Sequence, residues 1–130
     1  MAKRLFKILI YSFLSITILT TNIGFFPIKA TSALENKKSN LLDKVSADFT
    51  KKYCNSIGFG LSKESAFNFS LSENKKQFKN RKGIESLDKE LLSNKIALSV
   101  FDRCGYESNL NGEKDILEFA NLYLSIEKEN

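Results

Sequence analysis

The densest run of oxygen ligands in the sequence is Glu107-x-Asn109-x-Asn111-Gly112, followed after five residues by Glu118. Ligands at alternate positions, a glycine for the sharp turn and a closing glutamate are what a calcium loop requires. The first position departs from that pattern. The loop takes Asp there because the ligand must be short, and Glu107 is one methylene longer. Lys114 stands at a position that is usually apolar, and Gly105 interrupts the incoming helix. A turn followed by an acidic helix start accounts for the same residues. The expectation is no metal, with Glu107, Asn109, Asn111 and Glu118 as the calcium alternative.

Ser72-x-x-Lys75 and Ser86-x-x-Lys89 match the spacing of the serine–lysine dyad in penicillin-recognising enzymes. Fifteen serines and 17 lysines generate such spacing by chance, and the motifs that accompany the dyad are missing. The chain has no histidine. Imidazole general bases, His-ligated zinc and haem attachment therefore drop out together. Scattered Asp and Glu leave a carboxylate-only hydrolase or lyase as the alternative to a non-catalytic protein. No catalytic residue and no cofactor is expected.

Lys75, Lys76, Lys79, Arg81 and Lys82 form a basic cluster with Phe78 inside it. Such a patch can dock an acidic partner or an anionic surface. The competing reading is a solvated helix end whose lysines complement the helix dipole. Asn68-Phe69-Ser70 has the form of a glycosylation sequon but falls inside a predicted helix.

Cys54 and Cys104 are the two cysteines of the chain. Their count and spacing suit one structural disulfide in an oxidising compartment, and neither has the C-x-x-C setting of a redox pair. The first 33 residues point to the same compartment. Lys3, Arg4 and Lys7 precede an uncharged run from Ile8 to Ile28, and the small residues Ala30, Thr31, Ser32 and Ala33 follow. This is the pattern of a cleavable export signal, with cleavage expected after Ala33. An uncleaved membrane anchor is the alternative, since the apolar run is just long enough to span a bilayer.

The leader also accounts for the net charge of +5. Lys3, Arg4, Lys7 and Lys29 supply four of the 20 basic residues, leaving 16 against 15 acidic residues in the remainder. The working part is nearly neutral, and nucleic acid is not an expected partner.

The elements that must position these groups read as helices. Leu42, Val45, Phe49, Tyr53 and Ile57 recur at three- and four-residue steps, predicting a first helix over 40–57 capped by Ser39 or Asn40. Gly58 and Gly60 end it. Ser62 is the expected cap of a second helix over 63–79, with Phe67, Leu71 and Phe78 on one face and a polar, solvated second half. Asn80-Arg81-Lys82-Gly83 reads as a turn. A third helix spans 87–103, capped by Ser86, closed by Gly105 and carrying Leu92, Ile96, Ala97 and Val100 as the centre of the core. A fourth spans 113–126, presenting Ile116, Phe119, Ala120 and Tyr123. No segment reads as a strand. The predicted fold is all-α: a small four-helix up-down bundle stapled by one disulfide. It divides as signal peptide 1–33, polar lead 34–39, helical domain 40–126 and polar tail 127–130.

Cys54-Asn55-Ser56-Ile57-Gly58-Phe59-Gly60, Ser62-Lys63-Glu64-Ser65-Ala66 and Cys104-Gly105-Tyr106 give the segment 45–106 a likeness to a known group. It resembles small exported proteins of unassigned function from marine cyanobacteria. The resemblance implies a periplasmic or thylakoid-lumen address and supplies no activity. The expectation is thus an exported, non-catalytic helical binding or accessory protein. Its partner is a protein in an exported compartment or at a membrane surface. Membrane contact of its own is expected only through an uncleaved leader. A carrier of a small apolar ligand between the helices is a further alternative.

Overall fold

In the computed structural model, residues 29–129 are described; of the expected leader at 1–33, residues 1–28 lie outside them and 29–33 form the start of the first helix. Four helices follow in chain order: α1 (Lys29–Gly58), α2 (Lys63–Phe78), α3 (Lys89–Cys104) and α4 (Glu113–Glu129). No strand occurs among the described residues. None of the described helices is long and apolar enough to cross a membrane.

The periodic apolar residues are the ones buried. Leu42, Val45, Phe49 and Tyr53 of α1 meet Phe67 and Leu71 of α2, Ile96 and Val100 of α3, and Phe119 and Tyr123 of α4 in one core. Phe49 lies at its centre. Its ring stacks against Tyr53 at 6.2 Å and meets Phe67, Tyr123 and Phe119 edge-on at 5.5, 5.5 and 6.4 Å. Such aromatic pairs contribute about 0.5–1.5 kcal/mol each beyond the area they bury.

Specific pairs tie the helices together. Phe49 of α1 meets Phe67 of α2, and Asn74 further along α2 donates to the Val45 carbonyl at 3.0 Å. Cys54 and Cys104 form the expected disulfide with Cα atoms 5.7 Å apart, and Asp43 of α1 pairs with Lys95 of α3. Phe67 packs on Phe119, and Lys75 of α2 pairs with Glu127 of α4 at 2.9 Å.

Several boundaries differ from expectation, each for a local reason. The predicted polar lead at 34–39 is helical, so Ser39 and Asn40 lie inside α1 and cap nothing. Leu34, Glu35, Lys37 and Lys38 are good helix formers, and a helix already nucleated by its buried half extends at little further cost. Most of the predicted tail is helical too, because α4 continues to Glu129.

The cap of α3 is Asp88, not Ser86: its carboxylate accepts from the Glu90 and Leu91 N–H groups, both at 3.0 Å. Ser86 instead donates to the Gly83 carbonyl at 2.9 Å, closing the preceding turn. Ser62 does cap α2, accepting from the Ser65 N–H at 3.2 Å. The chain reverses at Gly60 and Gly83, whose φ values of 87° and 91° favour glycine.

The second half of α2 is not simply solvated. Ser70 and Asn74 are buried, and Asn74 donates to both the Val45 carbonyl and the Asp48 carboxylate. A buried amide with partners on the neighbouring helix fixes the α1–α2 contact in a way an apolar pair would not.

Candidate functional site

The basic segment 75–82 spans the end of α2 and the loop that follows it, so its side chains radiate in several directions. Two of the five are engaged by acids. Lys75 pairs with Glu127 at 2.9 Å, and Lys76 pairs with Glu73 at 2.8 Å. The Lys76 ammonium holds the Glu73 carboxyl below its usual range, through a hydrogen bond and its charge. Phe78 is not displayed among the lysines but buried beneath them in the core.

Arg81 and Lys82 meet cations from elsewhere. Together with Lys37 and Lys44 of α1 they line a groove of about 470 Å³ that opens over Leu41 and Phe78. Four cationic side chains and no carboxylate, among the described residues, line this groove. Lys37 and Lys44 lie about 40 residues from Arg81 in sequence, and Lys37 stands on α1 with Lys44 because 34–39 is helical. A reading of local charge runs could not join them. The packing of Leu41 and Phe78 does so.

A second groove, of about 540 Å³, lies between the end of α2, the loop and the end of α4. Lys75, Lys76, Lys79 and Lys89 stand around it. Lys89 and Glu127 escaped the sequence reading: Lys89 looked like half of a chance Ser-x-x-Lys match and Glu127 like part of a tail. Their 38-residue separation carries no local signal.

A third groove, also about 540 Å³, opens between the starts of α2 and α4, with Phe67, Leu110, Phe119 and Leu122 as its apolar part. Tyr53 borders it from the core. Burial raises the Tyr53 pKa, and a hydrogen bond with Ser108 partly offsets that. Asp115 and Glu118 stand at this groove. Asp115 accepts from the Asn111 N–H at 2.7 Å, which ties the first turn of α4 back to the preceding loop.

That use of Asp115 bears on the calcium alternative. Asn109 takes a left-handed φ of 50°, and the Asn111 side chain donates to the Asn109 carbonyl at 3.3 Å. Glu118 lies 3.8 Å from Lys114. Asn109 and Asn111 thus take part in shaping the turn, and no group of three or more His, Cys, Asp or Glu converges among the described residues.

Leu122 of that third groove is exposed, and other exposed apolar residues lie away from the grooves. Phe59 and Tyr106, 84% and 90% exposed, follow the two bonded cysteines in the α1–α2 and α3–α4 connections. Leu91 and Leu98 project from α3.

No protein-family model matches the chain, and neither the curated proteins nor the solved structures contain a similar one.

Proposed function

We propose that the chain is an exported, non-catalytic helical binding protein that docks on another exported or membrane-bound component through its cation-lined face. The carrying observation is the gathering of Lys37 and Lys44 with Arg81 and Lys82 around one groove, with no carboxylate among the described lining residues to neutralise them. Four like charges held together repel one another, and an acidic partner relieves that repulsion.

The same reading includes a leader at 1–33, cleaved after Ala33, and an up-down-up-down order of helices. The Cys54–Cys104 disulfide supports export. The helix order is supported by pairs that progress together or in opposition. Asp43–Lys95 and Cys54–Cys104 advance together along α1 and α3, whereas Phe49–Phe67 and Val45–Asn74 run oppositely along α1 and α2.

The competing carboxylate-dependent hydrolase or lyase calls for a pair of inward-facing acids free to exchange protons. Of the five acids at the two larger grooves, Asp115 accepts from the Asn111 N–H, Glu118 faces Lys114, and Glu127 is held by Lys75, which leaves Glu64 at one groove and Glu85 at the other. Cross-linking of the protein in its native cells, with peptide mapping of the linked sites, tests the proposal. Cross-links concentrated at Lys37, Lys44 and Lys82 are expected, and links confined to the Phe59–Tyr106 end would oppose it.

A further inference from the structure

Glu127 stands in the last turn of α4, where a negative charge faces the unpaired carbonyl end of its own helix and is disfavoured. Two other helices compensate. The Lys75 Nζ of α2 lies 2.9 Å from Oε1, and the Lys89 Nζ of α3 lies 3.5 Å from Oε2. Lys89 also donates to the Glu127 main-chain carbonyl at 3.4 Å. The Glu127 side chain is 16% exposed, so the carboxylate is seated between two ammonium groups and largely withdrawn from water.

This pair of lysines stands at the 540 Å³ groove, a size within the roughly 300–1,000 Å³ typical of small-ligand sites. Val45, Phe78, Leu87, Leu92 and Tyr123 supply its apolar floor. Lys76 and Lys79 add further positive charge. Glu85, exposed in the connecting loop, lines the groove as well and sets one more carboxylate against the four lysines.

We infer that this groove binds an aliphatic monocarboxylate, a fatty acid. The ligand carboxylate takes the place of Glu127 between Lys75 and Lys89, and its chain lies along the apolar floor. The occupant follows from charge complementarity: the lysine pair already holds a carboxylate, attached to the protein itself. A neutral chain would gain nothing from displacing Glu127, and a cationic amphiphile would meet four lysines. Glu127 is a resident competitor, able to swing to solvent from the final turn of α4 as the ligand enters. The inference does not rest on the docking role, which uses Lys37, Lys44, Arg81 and Lys82.

Isothermal titration of the full chain with dodecanoate, with acetate and dodecanol as controls, tests it. Saturable binding of dodecanoate at one site is expected, with acetate silent and dodecanol much weaker. Lys75→Met, which keeps the aliphatic stem, weakens dodecanoate binding by about tenfold or more. Glu127→Gln removes the competitor and tightens binding by roughly fivefold or more. A purely structural ion pair predicts no such gain. Absence of dodecanoate binding by both the native chain and Glu127→Gln overturns the inference. So does equal binding of dodecanol, or an affinity that Lys75→Met leaves unchanged or Glu127→Gln lowers. Thermal melting by circular dichroism verifies that each variant folds. Should Glu127→Gln fail to fold, Lys75→Met and Lys89→Met decide the matter, and undiminished affinity in both overturns it.

Discussion

Cys54 and Cys104 join the C-terminal parts of α1 and α3 across 50 residues of sequence, with Cα atoms 5.7 Å apart. A link over that span removes much of the freedom of the unfolded chain, about 4 kcal/mol on the loop-entropy estimate. Replacing both cysteines by serine is expected to lower unfolding stability by about 3–4 kcal/mol, read from urea denaturation. A change below about 1 kcal/mol would show that packing alone holds these ends together.

Asp88 and Ser86 offer a direct comparison of two cap assignments. Asp88→Ala frees two N–H groups at the start of α3 and is expected to cost about 1 kcal/mol. Ser86→Ala loses one hydrogen bond in an exposed turn, and its effect stays within about 0.5 kcal/mol. Thermal melts of the two variants check the order.

Thr50 is buried in α1, and its hydroxyl has no hydrogen-bond partner among the described residues. Thr50→Val keeps the shape and removes the unpaired polar atom. The variant is expected to be more stable than the native chain by about 1 kcal/mol, measurable as a raised denaturation midpoint.

Tyr53 and Tyr123 are held in the protonated form by the fold. Burial raises both pKa values, and the charge of Glu127 raises that of Tyr123 further. Above about pH 10 the unfolded chain releases these protons while the folded chain retains them, so the folded state binds more protons and stability falls as pH rises. Below that pH the two tyrosines contribute no slope. A spectrophotometric titration should show Tyr53 and Tyr123 ionising together with alkaline unfolding. Their ionisation near pH 10 in a chain that remains folded would contradict the burial argument.

Much of the fold was legible because apolar spacing and burial report the same thing. Leu42 through Tyr53, Phe67 and Leu71, and Ile96 through Val100 are periodic in sequence and buried in the structure. Helix ends were less legible. Ser86 and Asp88 are both good cap residues two positions apart, and only the backbone path decides between them. The cation-lined groove was half visible: Arg81 and Lys82 stood out as a local run, whereas Lys37 and Lys44 were scattered charges until α1 brought them alongside. Glu127 was invisible for the same reason, since its partners Lys75 and Lys89 lie on other helices.

The docking role is tested most directly by reversing the charges that carry it. The protein and a Lys37→Glu, Lys44→Glu, Arg81→Glu, Lys82→Glu variant would each be recovered from native cells at low and at physiological salt, and their bound proteins quantified. Screening of exposed charges within about 8 Å at physiological salt makes the native interaction weaken as salt rises. The account predicts an acidic partner held by the native chain and reduced by about tenfold or more in the folded variant. An unchanged set of bound proteins, insensitive to both salt and charge reversal, would contradict it.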